Sequence, residues 1–266
     1  MTQWNNDYCM IPKIIHYCWF GGNPLPDFAS KCIDSWKRFF PDYEIREWNE
    51  SNYNVHKIPY ISEAYRLKKY AFVSDYCRID VLYQYGGLYF DTDVEVIKPF
   101  DDIINRGPFM GCELAPIYDP NQLQPQEKQK LDLFVNPGLG LGVTPGSHFY
   151  KEILDYYAQL HFVNIIGIRT ETIVTILTNF IQQRAPNIDF NKITEFEGVY
   201  IYPVDYFCPI VALTGEVTIT ENTRSIHHYT ATWAKYSPIK LIRAFSRLKS
   251  ISVRLLTQFE FFSHLK

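Results

Sequence analysis

Residues 86–93 read Gly-Gly-Leu-Tyr-Phe-Asp-Thr-Asp. Leu88, Tyr89 and Phe90 suit a buried strand entered from a Gly86-Gly87 turn. Side chains alternate along a strand, so Asp91 and Asp93 are expected on one side of its C-terminal end. Two converging carboxylates suit a hard divalent cation such as Mg²⁺ or Mn²⁺.

Two further groups could do chemistry beside that pair. In Ser74-Asp75-Tyr76-Cys77-Arg78, Asp75 and Arg78 share a helical face at i, i+3. Turned into a crevice, Asp75 can accept from a hydroxyl while Arg78 counters phosphate charge. Turned outward, they make a surface ion pair worth roughly 0.3–0.5 kcal/mol. Near the other end, Ile226-His227-His228-Tyr229-Thr230-Ala231-Thr232-Trp233 offers a histidine as third metal ligand and an indole N–H for a phosphate.

The elements that must position these groups follow from periodicity. Lys13 to Trp19 reads as a first buried strand, and Pro26 to Phe40 as an amphipathic helix carrying Phe28, Cys32, Ile33, Trp36 and Phe39. Tyr43 to Trp48 alternates as a second strand, and residues 71–85 return to a helical period before the Asp-Thr-Asp strand. This alternation predicts an α/β fold with a mainly parallel central sheet, whose ligands sit at the carboxyl ends of its strands. Further on, residues 113–132 are polar and read as a loop or lid, and Asn136-Pro-Gly-Leu-Gly-Leu-Gly as a tight turn or a close backbone approach to ligand. Helices near 147–160 and 170–184 and short strands near 199–202 and 217–220 complete the chain up to its basic end.

That end, 238–266, is set apart from a catalytic domain expected over 1–237. From Lys235 onward, seven basic residues face one acid, Glu260, with Leu241, Ile242, Phe245, Leu248, Ile251 and Leu255 between them. Such a segment suits peripheral contact with an anionic membrane, or packing on the domain with a solvated basic face. Among the 266 residues no apolar run approaches the ~20 needed to span a bilayer, and no signal peptide is evident. A cytoplasmic protein, peripheral at the inner face of the membrane, is expected.

The net charge of −3 argues against nucleic acid as a partner. Aromatic residues reach 17%, enough either for stacking on rings or sugars or for an aromatic core. The six cysteines show no C-x-x-C spacing and fit reduced, buried thiols better than disulfides or a zinc site.

Five stretches in order carry a resemblance: Ile11-Pro-Lys-Ile-Ile-His-Tyr-Cys-Trp-Phe-Gly-Gly, Tyr70-Ala-Phe-Val-Ser-Asp-Tyr-Cys-Arg, Tyr85-Gly-Gly-Leu-Tyr-Phe-Asp-Thr-Asp, Tyr202-Pro-Val-Asp-Tyr-Phe-Cys-Pro and Ile226-His-His-Tyr to Trp233. Over roughly residues 11–233 the chain resembles the DXD-containing (sugar-binding-region) glycosyltransferases, family 32 in the usual classification, of the bacterial capsular and lipopolysaccharide type. The resemblance implies a GT-A-like, Rossmann-type nucleotide-sugar fold. It also implies a metal-dependent, retaining transfer of a hexosyl unit from a nucleotide sugar, by default a UDP-sugar. The acceptor would be a hydroxyl of a surface glycan or lipid-linked oligosaccharide.

It further implies residue roles. Trp19 would stack on the base, Asp75 and Arg78 grip the donor sugar, and Tyr89 touch the nucleotide. Asp91 would contact ribose and reach the metal through water, Asp93 would ligate Mn²⁺ (or Mg²⁺) directly, and Trp233 would contact the diphosphate. His228 stands five residues before Trp233, where the clostridial glucosylating toxins of the wider group carry a ligating glutamate, and is chosen over His227 as the further metal ligand. Ala231 replaces their ligating serine. Asp75, Arg78, Asp91 and Asp93 form the expected catalytic set. Two rivals remain: a haloacid-dehalogenase-like phosphatase with Asp91 as nucleophile and Asp93 as acid/base, and an inactive sugar-binding protein.

Overall fold

The structure, a computed structural model, describes residues 10–114, 133–165, 167–212 and 215–230. Residues 115–132 of the stretch read as a loop, Trp233 and the basic segment 238–266 lie outside them, while Glu113 and Leu114, read as the start of that loop, instead end a strand paired on both sides.

The first four expected elements are present within a residue or two: β1 (Ile14–Cys18), α1 (Asp27–Phe39), β2 (Glu44–Trp48) and, after α2 (Pro59–Arg66), α3 (Tyr70–Tyr85). Helix α1 opens after Pro26 with Asp27 in its first turn and closes with Lys37 and Arg38 in its last, both signs complementing the helix dipole. Gly86 and Gly87 then turn the chain from α3 into β3 (Gly87–Tyr89) at φ +63° and +102°. No side chain fits there: a Cβ on Gly86 would meet Pro145 and Pro12, and one on Gly87 the Ile14 carbonyl.

After β3 come β4 (Val94–Val96), α4 (Asp101–Ile104), β5 (Phe109–Leu114), β6 (Leu133–Asn136) and β7 (Leu141–Val143). These are followed by α5 (His148–Ala158), the small hairpin β8 (Val163–Asn164) and β9 (Gly167–Ile168), and α6 (Ile173–Arg184). The described chain ends with β10 (Thr194–Phe196), β11 (Val199–Tyr202), α7 (Val204–Phe207) and β12 (Ser225–His227). The strand expected near 217–220 reduces to a single bridge between Ile210 and Val217.

Eight strands form the central sheet in the order β10-β11-β5-β7-β3-β1-β2, with β6 alongside β5. Strands β1, β2, β3, β5 and β11 run one way, while β6, β7 and β10 run against them. The fold class is therefore α/β with a mainly parallel central sheet, consistent with a GT-A-like fold. Two aromatic-rich cores sandwich it. One, under α2, α3, α5 and α6, centres on Tyr60, Tyr76, Tyr150 and Tyr157; the other, under α1, α4 and α7, on Trp36, Phe90, Phe100 and Phe207. Most of the described aromatic residues are thus core, and the five described cysteines are free and buried. No helix among the described residues is long and apolar enough to cross a membrane.

Candidate active site

Strand β3 stops at Tyr89, and the two aspartates lie in the turn that follows, with Val94 N–H donating to the Asp91 carbonyl at 3.0 Å. Strand alternation is therefore not what orients them. Val94–Val96 leaves the main sheet and pairs with β12 instead, clamped by α1: Trp36 Nε1 donates to the Val94 carbonyl at 2.8 Å, and Ser35 Oγ accepts from Val96 N–H at 2.9 Å. The turn is fixed at both ends, and the two carboxylates go to different partners.

Asp91 faces α3. Arg78 reaches it through Nη1 at 3.4 Å and Nη2 at 3.2 Å, and Tyr89 donates its hydroxyl at 3.2 Å. Arg78 also pairs with Asp75 at 3.1 Å and lies 4.8 Å above the Tyr89 ring centroid. The i, i+3 pair is therefore buried and turned inward, with the Arg78 side chain only 6% exposed. Burial alone would push the guanidinium pKa down, but Asp91, Tyr89 and Asp75 together raise it above its ordinary value. Asp75 also accepts from the Ile173 amide at 3.1 Å, the start of α6. Burial outweighs these contacts and lifts the Asp75 pKa to about 6.

The glycine-rich stretch serves this cluster. Asp91 N–H donates to the Gly138 carbonyl at 2.9 Å, and a Cβ on Gly138 would lie 1.9 Å from Asp91 Oδ2. The close backbone approach made here is to the aspartate, where the sequence reading looked to a ligand.

Asp93 faces β12. In the β4–β12 register His227 stands opposite Val94, which brings its ring to Asp93, with Nε2 3.2 Å from Oδ1. Thr230 donates to Asp93 Oδ2 through its backbone N–H at 2.8 Å and its hydroxyl at 2.9 Å. Burial would raise the carboxyl pKa; His227 and Thr230 outweigh it and hold Asp93 well below the usual range. His227 shifts the opposite way: burial lowers its pKa, the Asp93 pairing more than compensates, and the net shift is well upward.

His228, the histidine chosen from the sequence, gives Asp93 only its backbone N–H, to the Asp93 carbonyl at 3.0 Å. Its ring turns to Glu95, 2.9 Å away, with Phe28 edge-on at 4.9 Å. Adjacent residues at a strand end point to opposite faces, so one histidine of the two can reach Asp93 with its ring, and it is His227.

Trp19 sits at the carboxyl end of β1, partly exposed, with its indole held by the Asn23 carbonyl at 2.6 Å. His16, three residues earlier on β1, is structural: its ring bridges the Gly86 carbonyl and the Trp48 indole, and burial lowers its pKa to about 4. Asp75, Arg78, Tyr89 and Asp91 form one cluster, Asp93 and His227 a second. Thr230, Gly138 and His227 join the site beyond those chosen from sequence. Of these, only the spacing of His227 next to His228 and the run of glycines gave any signal. The phosphatase alternative asks for a free nucleophile at Asp91, which here is tied to Arg78 and Tyr89.

Residues 26–110 match the family model described as glycosyltransferase sugar-binding region containing DXD motif. Inositol phosphoceramide mannosyltransferase 1 of Schizosaccharomyces pombe is 29% identical over 118 residues, covering 40% of this chain and 35% of its own length. Inositol phosphoceramide mannosyltransferase 3 of the same yeast is 31% identical over 114 residues, covering 38% and 30%. The chain thus spans about a third of the length of the curated relatives it matches. The solved PaToxG glycosyltransferase is 17% identical with a TM-score of 0.42, covering 67% of this chain and 72% of that one. Asp75, Arg78, Asp91 and Asp93 all lie within the residues that the family model matches.

Proposed function

We propose that this chain is a glycosyltransferase that moves a hexosyl unit from a nucleotide sugar to an acceptor hydroxyl. The observation that carries this reading is the Asp75–Arg78–Asp91 cluster at the carboxyl end of β3, buried at Asp75 and Arg78 and partly open to solvent at Asp91, inside the matched sugar-binding stretch. A guanidinium held between two carboxylates places a fixed positive charge where a leaving diphosphate accumulates negative charge. Asp75, acceptor-only when ionised, suits a donor-sugar hydroxyl. Trp19, at the end of β1, suits the base.

The donor set also suits a hard cation. Asp91 and Asp93 offer carboxylates, and the Thr230 hydroxyl lies 2.9 Å from Asp93, all oxygen ligands of the kind Mn²⁺ and Mg²⁺ take. Bound there, the cation would supply further charge opposite the diphosphate. His227 would act on Asp93 from behind, orienting its carboxylate. Trp233 would add its indole N–H to the diphosphate. Both Asp75 and Asp91 are committed to Arg78, which leaves neither as a ready covalent nucleophile and favours retention through front-face attack.

A UDP-hexose is the first donor to test. The mannosyltransferase relatives make a GDP-linked sugar the second. Their names point to a lipid-borne acceptor, in keeping with a lipid-linked or surface glycan, bacterial capsule and lipopolysaccharide included. The basic segment 238–266 would then bring the protein to the inner face of the membrane. Nucleotide release is measured across UDP-, GDP- and CMP-sugars, with and without Mn²⁺. Cation-dependent release from one class is expected, and release from none overturns the reading. In the same assay His227→Ala is expected to raise the Mn²⁺ requirement at least tenfold and His228→Ala less than threefold, by orders of magnitude typical of groups behind metal ligands. The reverse ranking would return His228 to the metal.

A further inference from the structure

Behind Asp93 lies a group of which the transfer reaction uses only His227. Glu113 near the end of β5, Cys208 just after α7 and His227 on β12 bring an Oε, Sγ and ring nitrogen within 4.8 Å of one another. All three are buried: Cys208 is 1% exposed, Glu113 7% and His227 9%. We propose that they form a second cation site, for a thiophilic divalent cation of the Zn²⁺ class, distinct from the oxygen-lined position at Asp91 and Asp93.

The ring of His227 carries the argument. Its Nε2 faces Asp93, while Nδ1 is buried with no hydrogen bond of good geometry, Cys208 being the neighbour that acts on the ring. A buried imidazole nitrogen without a partner is costly unless something binds it. A bound cation would displace the Nδ1 proton that the Asp93 pairing favours, and donation from Nε2–H to that carboxylate would leave the Nδ1 lone pair for the ion, the arrangement of a histidine ligand whose other nitrogen is held by a carboxylate.

The other two ligands are held equally. Glu113 accepts from Asn136 Nδ2 at 2.8 Å and from the Tyr229 hydroxyl at 2.9 Å, and that hydroxyl also lies 3.0 Å from Cys208 Sγ. Tyr229 adopts φ +50° to reach both, a left-handed backbone uncommon for an aromatic residue. A thiolate, a carboxylate and a neutral imidazole balance a divalent charge, and one sulfur with nitrogen and oxygen is a donor set that zinc accepts. Mn²⁺ and Mg²⁺ prefer oxygen and would stay at Asp91 and Asp93.

The test needs no turnover, so it stands apart from the transferase reading. Metal-free full chain is titrated with Co²⁺, and a sulfur-to-cobalt charge-transfer band at one equivalent is expected, bleached by Zn²⁺. Cys208→Ser should abolish the band and Asp93→Asn weaken binding about 10–100-fold, while Asp91→Asn should leave it in place. X-ray absorption of the Zn²⁺-loaded wild-type chain, which depends on no variant, should show one sulfur at about 2.3 Å with nitrogen and oxygen at about 2.0–2.2 Å. No sulfur in that shell, more than one sulfur, or a cobalt band that survives Cys208→Ser would overturn the proposal.

Discussion

The two aspartates of the motif sit two residues apart in one turn, yet they belong to different kinds of structure. The Asp91 carboxylate is held by Arg78 and Tyr89, 13 and 2 residues away, so its side-chain partners come from one helix and the strand after it, with Gly138 alone reaching it from farther along the chain. Asp93 is held by Thr230, 137 residues away, and by His227, which exists at that place only because β12 pairs with β4. The charged pairs of the first cluster are local in sequence, although Gly138 and the Ile173 amide close over them; the second waits for the chain to close. Their electrostatics differ too. Burial raises Asp75 in the first, while pairing depresses Asp93 in the second.

The largest expected effect breaks the local cluster. Arg78→Ala strands Asp75 and Asp91 without their shared counter-charge, and urea unfolding should show a loss of about 3–5 kcal/mol, with nucleotide release abolished. A loss under about 1 kcal/mol would mean that water already screens this cluster.

The next separates the clusters by pH. Asp75 has a folded pKa near 6 against an ordinary 3.8, so the folded state binds the extra proton. Its contribution is fully present below 3.8 and is lost as pH rises through 6, about 3 kcal/mol at 1.36 kcal/mol per unit. Asp93 works oppositely: its contribution is present above 3.8 and lost as pH falls below it. His16, lowered to about 4, adds a slope of the opposite sign to Asp75 between 4 and 6.5. The Asp75 part is therefore read as the difference between wild type and Asp75→Asn. Stability curves of the two that run parallel between pH 4 and 6 would refute the assignment.

The smallest effect probes the contact between the clusters' shared turn and the glycine loop. Gly138→Ala puts a methyl group on Asp91 Oδ2 and 3.0 Å from Arg78 Nη1. A stability loss of about 1–3 kcal/mol is expected, with turnover reduced at least tenfold and the Mn²⁺ requirement, which reports on Asp93, changed little. An equal rise in both would show that the two clusters move together.

Much of the fold was legible because periodicity reports burial directly. Ile14–Cys18, Asp27–Phe39, Glu44–Trp48 and Tyr70–Tyr85 stand where alternation and helical spacing put them. Strands β6 and β7 were less so, since the glycines between them obscure both periods, and the antiparallel runs of β6, β7 and β10 leave no mark on the sequence.

For the site, the sequence by itself determined the residue types and the local cluster. A helix fixes i, i+3 neighbours, and the Gly86-Gly87 turn returns the chain to them, so Asp75, Arg78 and Asp91 were committed together. Whether that pair faced water or the interior depended on what packed over α3, which was a tertiary matter. The choice between His227 and His228 was also tertiary, because strand register decides which ring turns inward and no local spacing encodes register across more than 130 residues. The same register placed the ring of His227 beside Cys208 and Glu113, three residues whose positions in the chain give no sign that they meet.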